Sequence, residues 1–347
     1  MSAWAEGGAR TGVLLVNSGT PDAAEPRAVR AFLARFLADR RVVDLPRVLW
    51  LPLLYLLILP FRPRAVARRY RSIWRDSGSP LRALTFALRD GLYTALGGGA
   101  TPLAAIEVGM LYSSPDVGAA LGRLRACGVE RLVVLPLFPQ YCGATTGAVG
   151  DHVNTQLRRS AWAPQLFFIE HYHDDPAYIE ALRASVADYW RAHGRTAHLL
   201  LSFHGIPERR VRHGDPYYGQ CRESAALLAR ALQLAPGDWS VSFQSRFGPA
   251  GWLKPYTSSV LAAMPAGGTR EVTVICPGFA VDCLETLEEI AIENRRVFLR
   301  AGGQRYEYVP ALNATTAHAA CLAELIGRRL GIAARAAPGR SASAAGG

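Results

Sequence analysis

The feature that most constrains this chain is an alternation of short β-rich runs and amphipathic stretches of helical period, kept up over almost its whole length. The predicted strands are Gly12–Asn17, Ala104–Met110, Arg131–Leu137, Leu166–Ile169, His198–Phe203, Ser240–Phe243, Val272–Cys276 and Tyr306–Val309. Between them fall predicted helices at Pro26–Ala38, Pro80–Ala95, Pro115–Ala126, Tyr178–His193, Ser224–Leu234, Asp282–Ala301 and Thr315–Leu330. Strands that alternate with helices pair in parallel, because each return crossing needs a long connection, so the pattern predicts an α/β protein with mainly parallel sheets. Two comparable series, roughly residues 1–160 and 161–310, follow one another without a low-complexity linker. The simplest reading is two doubly wound domains, 1–160 and 161–330, facing one cleft. Sequence does not say on which of them the last helix, 315–330, packs. Residues 333–347 (AARAAPGRSASAAGG) are predicted to be disordered.

With 347 residues, half of them hydrophobic, the chain can bury two cores. Lys and Arg exceed Asp and Glu by 11, which favours anionic partners such as propionate-bearing substrates or acidic lipid, and equally describes a solvated basic surface. The basic residues are mostly dispersed Arg with no nucleic-acid module, so no nucleic-acid partner is expected. Six cysteines stand far apart without a C-x-x-C pair, which points to reduced thiols and a cytoplasmic location. The N-terminal MSAWAEGGARTG does not read as a secretory signal.

From Val48 to Phe61 (VLWLPLLYLLILPF) the chain is apolar for fourteen residues, too short to cross a bilayer and interrupted by Pro52. With Arg47, Arg62 and Arg64 at its flanks it suits an interfacial lip or pocket wall in peripheral contact with a membrane; a buried core helix explains the apolarity as well.

Dinucleotide, Walker, hydrolase-elbow and H-E-x-x-H signatures are absent. What remains are strand-end loops, where open α/β sheets bind ligands. His204 stands where the strand HLLLSF gives way to Gly-Ile-Pro; such a histidine is either a hydrogen-bonded structural residue or a catalyst. Asp282, Glu285, Glu289 and Glu293 follow a 3,4,4 spacing, which on an α-helix places them within about 80° of arc as a carboxylate stripe. A solvated face, with Asp282 as an N-cap, would give the same pattern.

Seven ordered segments, LLVNSGTPD, SGSPL, VVLPLFPQY…TTGAV, LLSFHGIP, GDPYY…QC, FQSRFGPAGWLKPYT and CPGFAVDCLETLEEI, resemble the ferrochelatase family in order and spacing from about Gly12 to Leu330, most closely its Gram-negative branch. The resemblance implies two Rossmann-like domains of the chelatase type around a porphyrin cleft, and insertion of Fe²⁺ into protoporphyrin IX in haem biosynthesis. It places the family's histidine on His204 and its catalytic glutamate on Glu285. Asp282 and Glu289 join these two as metal ligands, and Tyr112, Trp252, Phe279 and Ser18 contact substrate. It also places the family's hydrophobic lip on Val48–Phe61. Two positions depart from animal members: Leu111 stands for an arginine and Cys283 for a histidine, so metal delivery through them is in question. Ser18 stands where some Gram-positive members have a tyrosine. Since no cysteine follows Cys321, no [2Fe–2S] cluster and no other resident cofactor is expected.

Metallation must distort the macrocycle and remove two pyrrole protons. Apolar walls can hold a strained ring, and imidazole and carboxylates can accept protons or ligate iron. The alternatives are a chelatase for coproporphyrin or a cobalt-accepting ring, distinguished by turnover on each, and a non-catalytic porphyrin carrier, which would consume no Fe²⁺.

Overall fold

A computed structural model describes residues 9–97, 103–248 and 251–331; the stretch 333–347 lies outside the described residues. Among the described residues eight strands build two four-stranded sheets, every pair parallel. The first half runs β1 (Thr11–Asn17), α1 (Pro26–Ala38), α2 (Arg47–Leu53), a π-turn (Leu54–Ile58), α3 (Leu59–Ile73), α4 (Pro80–Ala95), β2 (Leu103–Met110), α5 (Val117–Ala126), β3 (Arg131–Pro136), α6 (Thr146–Ser160) and β4 (Gln165–Phe168). The second runs α7 (Pro176–His193), β5 (His198–His204), α8 (Glu208–Arg212), α9 (Tyr217–Ala231), β6 (Trp239–Gln244), α10 (Thr257–Ala263) and β7 (Glu271–Ile275). It ends with a π-helix (Glu285–Asn294), α11 (Arg295–Arg300), β8 (Arg305–Val309) and α12 (Thr316–Arg329). The sheets have the same order, β2-β1-β3-β4 and β6-β5-β7-β8, a doubly wound α/β fold in each.

Their central strands read as continuous apolar runs because helices cover both faces: Val13, Leu14, Leu15 and Val16 of β1, and Leu199, Leu200 and Leu201 of β5, are almost wholly inaccessible. All eight predicted strands are present. The boundary expected at 160/161 is corrected, however, since it assigns residues 165–168 to the second series while β4 pairs with β3 in the first sheet. Which sheet an edge strand joins depends on a pairing partner some 30 residues away, and local pattern does not encode that choice. α12 crosses back to lie against α4 as well as α7, where Gly91 lets Ala319 approach closely.

The apolar 48–61 segment is core along one face only. It forms the first part of a helical run, Arg47–Ile73, the one helix among the described residues long and apolar enough, by length and composition, to cross a membrane. The prolines at 52, 60 and 63 remove N–H donors from this run, which widens into the π-turn between them. One face, with Trp50, Leu54, Leu59, Ala67, Tyr70 and Ile73, is buried with α1, and the Trp50 indole N–H donates to the Leu37 carbonyl at 2.7 Å. The other presents Val48 (81% exposed), Leu49 (69%), Leu56 (70%) and Phe61 (73%). The C-terminal half carries Arg62, Arg64, Arg68, Arg69 and Arg71. The run therefore lies along the first half as a surface helix with an uncovered apolar face.

Candidate active site

In each sheet the chain order reverses beside the central strand, and the second reversal falls between β5 and β7. Ligand sites of open α/β sheets form at that crevice, outside the strands' carboxyl ends. His204 is the last residue of β5, and Phe279 stands in the loop after β7 with ring centroids 6.5 Å apart. His204 Nδ1 lies 2.7 Å from the Gly205 carbonyl, which only accepts, so Nδ1 is the donor and Nε2 is the ring nitrogen not used in this bond. The turn that follows is tight: the Gly205 N–H donates to the Gln244 carbonyl at 2.8 Å, and a Cβ on Gly205 would meet that oxygen at 2.9 Å and the Trp252 ring at 3.3 Å. Trp252 is held over this turn by a backbone bridge to Pro207.

The expected α-helix from 282 to 301 is corrected. Residues 285–294 form a π-helix, and α11 begins only at Arg295. With about 4.4 residues per turn, side chains four and five apart lie side by side on such a helix. Glu285, Glu289 and Glu293 thus keep a common side. Glu288 and Glu293, five apart, share one partner: Arg69 of α3 pairs with Glu288 and lies 3.4 Å from Glu293. The site is therefore assembled from both halves, with α3 of the first against the π-helix of the second.

Glu289 accepts from the Ser245 N–H at 2.7 Å and its hydroxyl at 2.5 Å. Burial pushes its carboxyl above the ordinary value; the Ser245 hydrogen bonds and nearby His204 oppose that, and Glu285 adds to it. Glu289 thus lies close enough to feel both His204 and Glu285. Glu285 is fixed through its backbone, whose carbonyl accepts from Gln244 Nε2 at 2.8 Å. Beneath, the Ser202 hydroxyl donates to Gln244 Oε1 at 2.7 Å and shares Thr257 with Ser242, tying the ends of β5 and β6 together.

Asp282 departs from the expected stripe. It sits in the loop before the π-helix, buried, and its oxygens accept from Tyr308 (2.6 Å), Asn313 (2.7 Å) and Thr286 (2.8 Å). These bonds fix the loop, and none of them comes from a backbone N–H of the π-helix, so Asp282 does not cap it. Tyr112 also departs from an open cleft position: it is buried in the first core, edge-on to Phe36 and His152, and donates to Asp39 at 2.8 Å. Ser18 follows the end of β1, with its hydroxyl 3.4 Å from Asn17 Oδ1. Burial and the Glu285 carboxylate push the Cys283 thiol well up, so it stays protonated, and Leu111 is buried. Cys283 therefore cannot take a histidine's part in proton transfer or cation binding, and Leu111 offers no charge or hydrogen bond where an arginine would.

Gln244, Ser245, Arg69 and Tyr70 were not anticipated. Gln244 ends β6 and Ser245 follows it, both inside the segment FQSRFGPAGWLKPYT, and strand-end position was a usable signal for them. Arg69 had none, because it is 219 residues from Glu288. Tyr70 is buried, and desolvation together with Glu285 and Cys283 pushes its phenol well above the ordinary value.

The chain from 10 to 330 matches the family model described as Ferrochelatase. It is 52% identical over 318 residues to the ferrochelatase of Methylococcus capsulatus (strain Bath), covering 92% of this chain and 96% of that one, and 49% identical over 321 residues to that of Aeromonas hydrophila, covering 92% and 99%. Among solved structures it is similar to the sirohydrochlorin chelatase SirB of Bacillus subtilis subspecies spizizenii in complex with cobalt, with TM-score 0.54 and 11% identity over 92% of this chain and 96% of that one, a likeness of fold. The sequence match spans both sheets and the loops around His204 and Glu285, and this chain therefore belongs to the ferrochelatase family, metal-inserting lyases of haem biosynthesis.

Proposed function

We propose that this enzyme inserts Fe²⁺ into protoporphyrin IX. The observation that carries the reading is the place of His204 at the crevice of the second sheet, with Nδ1 bonded to the Gly205 carbonyl and the buried Glu289 carboxylate close enough to feel both His204 and Glu285. Metallation releases two protons as the metal takes the four ring nitrogens. In this reading His204 Nε2 accepts one, and Glu285 with Glu289 takes the other or passes the incoming dication, since hard carboxylate oxygens and imidazole both suit Fe²⁺. A carboxyl whose affinity for protons is raised by burial is a better acceptor than an exposed one. Asp282 is given a positioning role, holding the loop from which Glu285 emerges. Phe279 and Trp252 supply aromatic wall for the strained macrocycle, and Arg62, stacked 4.3 Å over Phe247, offers a cation at the rim for a propionate. The assignment calls on no resident cofactor or iron–sulfur cluster, and five of the six thiols are buried.

The exposed face of 48–61 is read as a lip in peripheral contact with the membrane surface from which an apolar substrate would arrive, at the cytoplasmic side. A patch of contiguous large apolar side chains flanked by arginines supports this. No part of the reading involves nucleic acid.

The test is anaerobic turnover of purified enzyme with Fe²⁺ and, in parallel, protoporphyrin IX or coproporphyrin, followed by absorbance. Faster turnover per active site on protoporphyrin is expected. A preference for coproporphyrin would reassign the substrate, and porphyrin binding without metal consumption would make the protein a carrier.

A further inference from the structure

Away from the chelation centre, the loop joining β4 to α7 carries Glu170-His171-Tyr172-His173-Asp174-Asp175. Nitrogens of His171 and His173 and an oxygen of Asp174 all lie within 4.8 Å of one another. Asp174 Oδ1 is 3.8 Å from His171 Nδ1 and 3.6 Å from His173 Nδ1. These separations are too long for hydrogen bonds. They are near the roughly 3.4 Å that donors take around a tetrahedral cation with bonds of about 2.0–2.1 Å.

The state of His173 gives an independent indication. Its side chain is only 4% exposed, and Nε2 lies 3.0 Å from Glu223 Oε2. The Glu223 carboxylate is half exposed and acts as acceptor, so Nε2 donates to it and Nδ1 is the nitrogen turned toward Asp174 and His171. That Nδ1 is buried with no hydrogen-bond partner. An orphaned buried nitrogen is costly unless something occupies it. A histidine that donates its second nitrogen to a carboxylate is the usual support for a metal-binding imidazole.

The loop is held in place from below. The Tyr172 N–H donates to the Pro139 carbonyl at 2.9 Å, the His173 carbonyl accepts from Ser224 at 2.8 Å, and Asp175 caps α7 through the Ala177 N–H at 2.9 Å. His171 and Asp174 are half exposed, which leaves the site open to solvent on one side.

We infer that His171, His173 and Asp174 form a second, separate metal site for a borderline divalent transition ion such as Zn²⁺, Co²⁺ or Fe²⁺, with water completing the shell and Glu223 orienting His173. Two imidazoles and one carboxylate suit these ions, and the hard all-oxygen cations Ca²⁺ and Mg²⁺ do not match the set. Because Glu223 belongs to α9, an ion here ties the β4–α7 loop of the first half to a helix of the second.

The experiment titrates Co²⁺ into the full-length, metal-free, porphyrin-free protein, read by equilibrium dialysis and by the visible absorption of bound cobalt. The wild type is expected to bind one equivalent more than His171→Ala and Asp174→Asn, both changes at exposed side chains, and both variants should keep wild-type chelatase turnover. Glu223→Gln should keep the equivalent and weaken it about 10- to 100-fold. Isotherms and spectra of His171→Ala and Asp174→Asn that superimpose on the wild type would overturn the assignment, as would a turnover loss parallel to the loss of cobalt, which would place these residues in the chelation centre.

Discussion

The two sheets share strand order and direction, yet their crevices are built for different purposes. At the first, backbone closes the end of β1: the Asn17 carbonyl accepts from the Leu111 N–H at 3.0 Å, that of Ser18 from Tyr112 at 3.1 Å and that of Val16 from Leu137 at 2.8 Å. At the second, β5 ends on His204 with a free ring nitrogen, and the loop after β7 leads into the π-helix that brings Glu285 and Glu289. In the proposed reading, one architecture serves as a packed support in one half and as a reacting centre in the other. The first half contributes side chains from α3, Arg69 and Tyr70, and the exposed apolar face. A fold fixes where a crevice forms, and the loop chemistry at that crevice decides whether it reacts.

The largest effect that could break this contrast is at the second crevice. His204→Ala and Glu285→Gln should each lower turnover by about 10²- to 10⁴-fold, with porphyrin affinity within a few-fold by fluorescence quenching. Near-normal metallation by folded His204→Ala would remove the asymmetry between the halves.

Next in size is an acid dependence at the seam formed by α12. Burial lowers His318 from 6.5 to about 4, with Nδ1 donating to the Asn313 carbonyl at 2.6 Å. Between those values the unfolded chain binds the extra proton, so stability falls as pH drops through 6.5 and levels off below about 4. The total is about 3 kcal/mol. Thermal melts at pH 7.5 and 5 should show a larger loss in the wild type than in His318→Gln.

Gly205→Ala sharpens the comparison geometrically. The added methyl cannot fit beside the Gln244 carbonyl without movement of the turn, and the cost is about 1–3 kcal/mol, with turnover falling as His204 shifts. An unchanged melting temperature would show that the turn has slack. Leu56→Asp on the lip should leave the melting temperature within about 0.5 kcal/mol equivalent, since the side chain is exposed, while reducing retention on anionic vesicles. Equal vesicle binding would assign the patch another partner. The smallest effect is expected for Ser18→Ala at the first crevice, a turnover change of less than a few-fold; a loss comparable to His204→Ala would show that both crevices react.

Much of the fold was legible because strands buried on both faces must be apolar throughout and helices packed on one side must be periodic; Leu199–Leu201 and Pro26–Ala38 display those patterns. The part of α3 beyond Phe61 and helices α6, α8 and α10 were missed: α8 and α10 are only five and seven residues long, and α6, though fifteen residues and amphipathic, starts from a glycine- and threonine-rich turn. The candidate site was legible in His204 and Glu285 through ordered segments at strand ends. Asp282 was misread because α-helical spacing was extended through a loop and a π-helix, and i→i+5 bonding leaves no mark in residue spacing that separates it from an α-helix. Tyr112 and Asp282 show the further limit: residue type announces what a side chain is able to bind, and its partners, Asp39 for one and Tyr308, Asn313 and Thr286 for the other, decide what it does bind.

By itself the sequence determined the strands, the helical periodicity, the apolar segment at 48–61, the strand-end histidine and the acidic run that follows β7, because each is set by neighbours within a turn or two. Only the tertiary structure decided that β4 joins the first sheet, that 48–61 turns its apolar side outward, that Arg69 faces Glu288 across the halves, and that a buried His173 is left with an empty nitrogen. Those outcomes depend on pairings tens to hundreds of residues apart, where burial and hydrogen-bond satisfaction are settled collectively.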